Sequence, residues 1–437
     1  MKRQLFLLLL TCASSHAQVT NVSSTSQTGV DVTHYAAASN YTLYSGNPSE
    51  WGNLGQGGYV DFPISSAGGS YALQLYYSNG GSSGAANVYV NGVQQPAALT
   101  SGTGGWGTFS LSAATSVTLP VGTSTLRLAA TNPVQAFNLA GVLFGPSNPL
   151  SKTSFYVSPS SQAAENISQS CSNGASLSTI ASQPQGVWFG DWNSNPQADA
   201  AYVVKLAQNQ GTVPIVVAYD IVNRDCGGGS SGGAANAAAY QAWIQGLALG
   251  LGNSKAVVIL EPDALSQLNV QGCLSSAQQN ERLSLFQYAI SMFTQHAPNA
   301  LVYLDAGHSG AIDVNTMAAN LQYAGISNAT GFALNVSNYE TTGDNTTYGQ
   351  QISSLVNNKH FIIDTSRNGQ GPTADHQFCN PPNRGLGSVS TGFASGVVDA
   401  DLWVQNPGTS DGTCNGGPPA GTFSLPIACT LIQNAKF

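Results

Sequence analysis

The sequence predicts an α/β fold, a barrel of the triosephosphate-isomerase type with about seven parallel strands, preceded by an all-β sandwich domain. Three observations predict it. Before about residue 145, short alternating apolar–polar runs are broken by Gly, Asn and Ser. After it, short apolar runs alternate with longer stretches of helical spacing. Between the two, Gly145-Pro146-Ser147-Asn148-Pro149 marks a change of composition and reads as a linker over residues 146–151.

Taken in order, residues 1–17 read as a signal peptide. Lys2 and Arg3 form its charged start, Leu5 to Leu10 its apolar stretch, and Ser15-His16-Ala17 a small-residue cleavage site. The apolar stretch is too short to cross a bilayer, so the rest is expected to be secreted and soluble, with no membrane partner. Residues 18–145 carry period-two runs at Tyr71–Tyr77, Ala86–Val90, Ser116–Leu119 and Ser124–Leu128, the pattern of an antiparallel sandwich. Asn91-Gly92 is a hairpin signal. Residues 152–437 hold strands near Gly186–Trp192, Val213–Ile221, Ala256–Glu261, Ala300–Leu304, Gly331–Val336, His360–Thr365 and Ala400–Gln405, with helices such as Asn236–Gly250 and Ser276–His296 between them. That alternation implies parallel strands joined by right-handed crossovers. A doubly wound open sheet is the alternative, but no glycine-rich phosphate loop follows the first strand.

Composition narrows the partner. The chain of 437 residues has only 12 Lys and Arg and 20 Asp and Glu, a net charge of −8. Its polar surface is drawn from Gly, Ser, Ala, Asn and Thr, which suits an uncharged polymer. No basic cluster of the kind nucleic acid requires is present. Nothing points to an obligate assembly, so a monomer is expected. Cys12 lies in the leader; Cys171, Cys226, Cys273, Cys379, Cys414 and Cys429 remain, an even set expected to form disulfides in an exported chain. Their pairing is open at this point. With no Cys-x-x-Cys motif and few histidines, neither a zinc site nor any other metal or cofactor is expected.

The acids gather where such barrels do chemistry, at the carboxyl ends of the strands. Asp220 and Asp225 follow the second strand, Glu261 and Asp263 the third, Asp305 the fourth and Asp364 the sixth, and Asp411 lies on a loop after the last. One such acid alone reads as a helix cap or a solvated loop residue; acids at successive strand ends of a chain this poor in charge read as a site. Cleaving a glycosidic bond needs a protonated carboxyl beside the leaving oxygen, and inversion adds a base-activated water on the opposite face. A neighbouring carboxylate raises the acid's pKa, and Asp225 and Asp263 follow adjacent strands. A Ser-His-Asp reading fails for want of a nucleophile elbow.

The motifs that carry these acids are Ile215-Val-Val-Ala-Tyr219-Asp220-Ile-Val-Asn-Arg224-Asp225-Cys226, Val258-Ile-Leu-Glu261-Pro262-Asp263-Ala-Leu265, Tyr303-Leu-Asp305-Ala-Gly-His308 and Ser410-Asp411-Gly412. With Gln183-Pro-Gln-Gly-Val-Trp188-Phe-Gly-Asp-Trp192 and Gly331-Phe-Ala-Leu-Asn335-Val-Ser-Asn338, residues 152–437 resemble glycoside hydrolase family 6, cellulases of the endoglucanase and cellobiohydrolase kinds that cut β-1,4-glucans with inversion. The resemblance implies a distorted barrel. It implies Asp263 as general acid, Asp225 as the neighbour keeping it protonated, Asp411 as base, Tyr219 pressing the reacting sugar into a distorted ring and Ser231 helping to hold the water. It implies Trp188 as a sugar platform, with His308, Asn335 and Arg367 binding sugar or buttressing the site; Asp305, Phe378 and Gln405 are expected to bind substrate beside them. It also implies the disulfides Cys226–Cys273 and Cys379–Cys414, leaving Cys171–Cys429. The short segments between the first two pairs resemble those of open-cleft, endo-acting members.

The sequence departs from the family pattern at four places. Phe378 and Ala311 stand where tryptophans are usual, and Gln405 and Thr409 where a lysine and a glutamate are. Lost ring platforms remove burial against sugar faces, and the lost charge pair removes help in setting the base. A changed polysaccharide specificity, or a glucan-binding protein on a degenerate barrel, is therefore the alternative to an endoglucanase. An adhesion protein without saccharide chemistry leaves the strand-end acids without a role.

Residues 18–145 loosely resemble carbohydrate-binding modules of families 6 and 35, through Trp51-Gly-Asn-Leu-Gly-Gln-Gly-Gly-Tyr59-Val-Asp61-Phe62, Gly104-Gly-Trp106 and Ala136-Phe-Asn138. The resemblance implies Trp106 and Tyr59 stacking on a sugar with Asn138 bonding a hydroxyl; for Tyr59, a place in the core is an equal reading. The acidic calcium pattern of those modules is not evident.

Overall fold

The computed structural model describes residues 19–22, 28–45, 50–81, 84–100, 102–112, 115–130, 136–146, 148–151, 153–393 and 397–437. The expected signal peptide lies outside them. The chain divides into two compact units, Met1–Ser147 and Asn148–Phe437.

The described residues of the first unit form one nine-stranded sheet. Its spine is the long strand Glu50–Ser78, antiparallel to Ala37–Ser45, Thr115–Ala130 and Phe137–Pro146. Alternate residues Val60, Phe62 and Ile64, then Tyr71, Leu73 and Leu75, are fully buried, as a half-buried strand requires. The two runs expected at Ser116–Leu119 and Ser124–Leu128 belong to one strand, because the spine pairs with it continuously from Tyr59↔Ala129 to Leu73↔Thr115. At the expected hairpin, Asn91 and Gly92 take φ of 50° and 80° and join the pair Val90↔Val93. Positive φ at both central residues matches strand twist, and Asn-Gly adopts it at little cost.

In the second unit seven parallel strands run in sequence order: β1 (Val187–Phe189), β2 (Ile215–Ala218), β3 (Ala256–Leu260), β4 (Ala300–Asp305), β5 (Gly331–Leu334), β6 (His360–Asp364) and β7 (Val398–Leu402). The connecting helices include α1 (Pro196–Gln210), α2 (Ala237–Leu251), α3 (Ser276–His296), α4 (Val314–Ala324) and α5 (Thr342–Leu355), and α6 (Leu425–Gln433) ends the chain. Asn195, Asn236 and Ser275 cap the first three through side-chain oxygens. The strands are buried on both faces. Ile215, Val217, Val257 and Ile259 pack in one core with Tyr303, Ile362 and Leu402, while Val216, Ala218, Val258 and Leu260 pack in another with helix residues such as Tyr240, Ile244 and Phe286. Strands covered on both sides read as continuous apolar runs, which is why they were visible in the sequence.

The first and last strands meet through Gly186 N donating to Trp403 O at 2.9 Å, which gives the sheet its barrel form. Gly186 makes this possible: a Cβ there would stand 2.2 Å from Val404 O. The expected linker over 146–151 is shorter than the sequence implied. Asn148 Nδ2 donates to Phe393 O and Asp399 O at 2.7 Å each, and Leu150 is fully buried in the same core as Ile215 and Val217. The disulfides are Cys171–Cys429, Cys226–Cys273 and Cys379–Cys414.

Candidate active site

A cleft of about 1070 Å³ lies at the carboxyl ends of the strands. Trp188, Tyr219, Asp225, Ser231, Asp263, His308, Phe378, Gln405 and Asp411 all line it. The backbone that delivers them is unusual: Asp225, Glu261, Asp263, Asn335, Ser337 and Asn380 all have positive φ, a conformation that non-glycine residues hold only where the surroundings fix it.

The surroundings are hydrogen bonds from the strand-end acids. Glu261, fully buried, accepts from the amides of Asp220 and Ile221 at 3.0 and 2.9 Å and ties the ends of β2 and β3 together. Burial pushes its carboxyl up to about 8. Asp305 Oδ1 accepts from the amides of Asp263 and Gly307 at 2.9 and 3.1 Å. Asp364 accepts from the amides of Ser337 and Gln405, at 3.1 and 2.9 Å. Asp263 therefore has its main chain pinned by β4 while its carboxyl faces the cleft. Burial, then the carboxylates of Asp225 and Asp411, push that carboxyl up to about 7. Asp225 is held by the amide of Ser230 at 2.8 Å and by Gln267 Nε2 at 3.1 Å, and the Cys226–Cys273 bond anchors its loop.

Asp411 is fixed by a different kind of partner. Arg367 Nη1 reaches both of its carboxylate oxygens, at 2.9 and 3.0 Å. Tyr339 OH and the amide of Asn380 donate to Oδ2 at 3.2 and 3.0 Å. Arg367 is fully buried, its Nη2 donates to Ser337 O, and its guanidinium lies 4.5 Å over the Tyr339 ring. On the other wall Trp188 meets Tyr219 edge-on at 5.3 Å, with Trp188 Nε1 donating to Val404 O at 3.0 Å. Arg224 sits 4.6 Å over Tyr219 and donates to its carbonyl at 2.6 Å. Glu340 and His376 pair at 2.7 Å within the cleft.

Not all of the expected site residues line the cleft. Asp305, Asn335 and Arg367 do not line the cleft. All three are buried and hydrogen-bond the residues or backbone that do, Asn335 through Nδ2 to Glu340 O at 3.2 Å. They lie behind the cleft lining. In the first unit, Asn138 is buried and fully engaged: Nδ2 donates to Ser78 Oγ and Trp106 O at 3.1 and 2.9 Å, and Oδ1 accepts from Asn53 at 2.9 Å. It props the exposed Trp106 and has no free group for a hydroxyl. Tyr59 lines a separate groove that Trp106 does not border. Residues that the sequence did not single out are Gln267, Tyr339 and Asn380. Asn380 had a signal: it follows Cys379, and the Cys379–Cys414 pair brackets Asp411.

Residues 148–435 match the sequence profile of Glycosyl hydrolases family 6. The chain is 41% identical over 294 residues to Endoglucanase A of Cellulomonas fimi, covering 66% of this chain and 63% of that protein, so the match spans less than two thirds of that relative. It is 39% identical over 289 residues to Endoglucanase 1 of Streptomyces halstedii, covering 64% of this chain and 88% of that protein. Among solved structures, the endoglucanase Cel6 of Mycobacterium tuberculosis, in complex with methyl-cellobiosyl-4-deoxy-4-thio-β-D-cellobioside, is 42% identical with a TM-score of 0.62, covering 66% of this chain and 99% of that one.

Proposed function

The chain belongs to glycosyl hydrolases family 6, and on that premise we propose that it is a secreted enzyme that cuts β-1,4-glucosidic bonds within cellulose or a related β-glucan, with inversion. The observation that carries this reading is Asp263: a carboxyl pushed up to about 7, on the wall of a cleft also lined by Asp225 and by an Asp411 clamped by Arg367. Asp263 gives its proton to the glycosidic oxygen as that bond breaks. A water attacks the anomeric carbon from the opposite face and passes its proton to Asp411, so the new reducing end is the α-anomer. Arg367 holds the carboxylate of Asp411 in place to receive that proton. Asp225 disfavours early ionisation of Asp263. Trp188 and Tyr219 offer edges and faces to the reacting sugar, and the exposed Ser231 stands on the Asp225 loop for the water.

Endo action is supported by the endoglucanase relatives and by short disulfide-bounded loops, with separations of 47 and 35 residues. The N-terminal unit serves as a β-sandwich carbohydrate-binding module on a monomeric chain. Thr409, where a glutamate is usual, is buried with its Oγ1 donating to Gln162 Oε1 at 2.6 Å, which supports altered specificity as the second reading.

The test is product release from carboxymethylcellulose, mixed-linkage β-glucan and xylan, with the first anomer read by NMR. Release of α-anomer from a β-glucan, with viscosity falling ahead of reducing ends, is expected. A β-anomer overturns the assignment, and binding without release makes the protein a glucan binder. Phe378, 71% exposed on the cleft, is expected to act as a remote platform: Phe378→Ala raises KM on long glucans by about 3- to 10-fold, as loss of one ring contact implies, with kcat unchanged.

A further inference from the structure

The first unit carries a groove of about 500 Å³ lined by Gly57, Tyr59, Tyr89, Gly92 and Arg127 among others. Strand register explains the grouping. Asp61 lies opposite Arg127, and Arg127 opposite Tyr89, so the three form a row across neighbouring strands; Tyr59 stands two positions along from Asp61, opposite Ala129. The intervening residues Val60, Leu128 and Val88 are fully buried, so period two places the row on the other face of the sheet. Arg127 Nε and Nη2 clamp the two oxygens of Asp61 at 2.7 and 2.8 Å, and the guanidinium lies 3.9 Å from the centre of the Tyr59 ring. Nη1 has no hydrogen-bond partner among the described residues. Small residues, Gly57, Gly58, Ala129 and Ala130, keep the groove open.

We propose that this groove binds an uncharged glycan chain. Arg127 Nη1 and the hydroxyls of Tyr59 and Tyr89 bond sugar hydroxyls, and the Tyr89 ring covers an apolar sugar face. Charge selects the ligand class. Asp61, 8% exposed, already occupies the fork of Arg127, so the pair is neutral and an anion would have to displace a bidentate carboxylate. A hydroxyl needs only the free edge. The inference rests on the carbohydrate-binding reading of this unit and names the surface, one that Trp106 and Asn138 do not share.

The test uses the full-length chain in affinity electrophoresis through gels holding hydroxyethylcellulose or, separately, polygalacturonate, with cellotetraose hydrolysis as a readout of the cleft. Tyr89→Ala, and the charge-balanced double variant Asp61→Asn/Arg127→Gln, should each weaken retention by hydroxyethylcellulose at least about 5-fold, the size of a lost ring or hydrogen-bond contact. Cellotetraose turnover should stay at the wild-type rate. Wild-type retention in both variants overturns the groove. If Trp106→Ala then loses retention, the module reading survives without it; if no first-unit variant changes retention, both fall. Retention by polygalacturonate but not by hydroxyethylcellulose overturns the uncharged class. The double variant guards against misfolding, since it leaves no buried charge unpaired.

Discussion

Asp263→Ala is expected to lower kcat/KM on a soluble β-1,4-glucan by about 10²- to 10⁴-fold, the range for losing a positioned general acid, while glucan binding is retained. The carboxyl must deliver a proton, and its proton is held because burial and two nearby carboxylates disfavour the charged form. Wild-type activity should therefore fall on the alkaline side with an apparent pKa near 7. Asp225→Asn removes one raising charge and should move that limb to lower pH, only part of the way to an ordinary carboxyl, because burial is the first cause. Stability carries the same signature. A carboxyl with a raised pKa in the fold contributes most below its unfolded pKa of about 4 and loses that contribution as pH rises through its folded pKa. Asp263→Asn should thus melt above the wild type at pH 8, with the gap closing toward pH 4. An unchanged alkaline limb in Asp225→Asn would remove Asp225 from the proton-holding role. Wild-type turnover in Asp263→Ala would remove Asp263 from catalysis altogether.

What could be read from the chain follows from how each feature is encoded. Most barrel strands were legible because a parallel strand covered on both faces tends to a continuous apolar run; β7, with buried Asp399 and Asp401, does not follow that pattern. The strand-end acids were legible because the chain has so few charges elsewhere. The buttressing of Asp305, Asn335 and Arg367 was not, because residue type alone does not say whether a polar side chain faces the cleft or lies behind its wall. Gln267, Tyr339 and Asn380 were missed for a related reason: each acts through a contact 31 to 72 residues away. Asn138 looked like a sugar ligand in an aromatic setting, yet the Trp106 loop and neighbouring strands use all of its hydrogen-bonding groups. The linker was drawn too long because Gly, Pro, Ser and Asn mark a boundary without saying on which side the next unit begins to pack.

Arg367→Met should damage both fold and catalysis, in ways that can be separated. Arg367 is fully buried, and its Nη1 serves both oxygens of Asp411. Removing one partner of such a pair costs about 3–5 kcal/mol, because the remaining charge is left uncompensated. Asp411 would keep only Tyr339 OH and the Asn380 amide, and nothing charged would hold its carboxylate in place. kcat/KM should then fall well below the wild type, because the carboxylate is no longer held where the attacking water needs it. Arg367→Lys should restore part of the stability and part of the activity, since a point charge replaces a planar guanidinium. The double variant Arg367→Met/Asp411→Asn removes both charges; most of the stability should return while activity stays lost. That divergence matters more than either loss alone. A purely structural ion pair would let activity recover with the fold, and such a recovery would show that Asp411 is not the base. Wild-type kcat/KM in Arg367→Met would show that Arg367 does not position the carboxylate on which the attacking water depends.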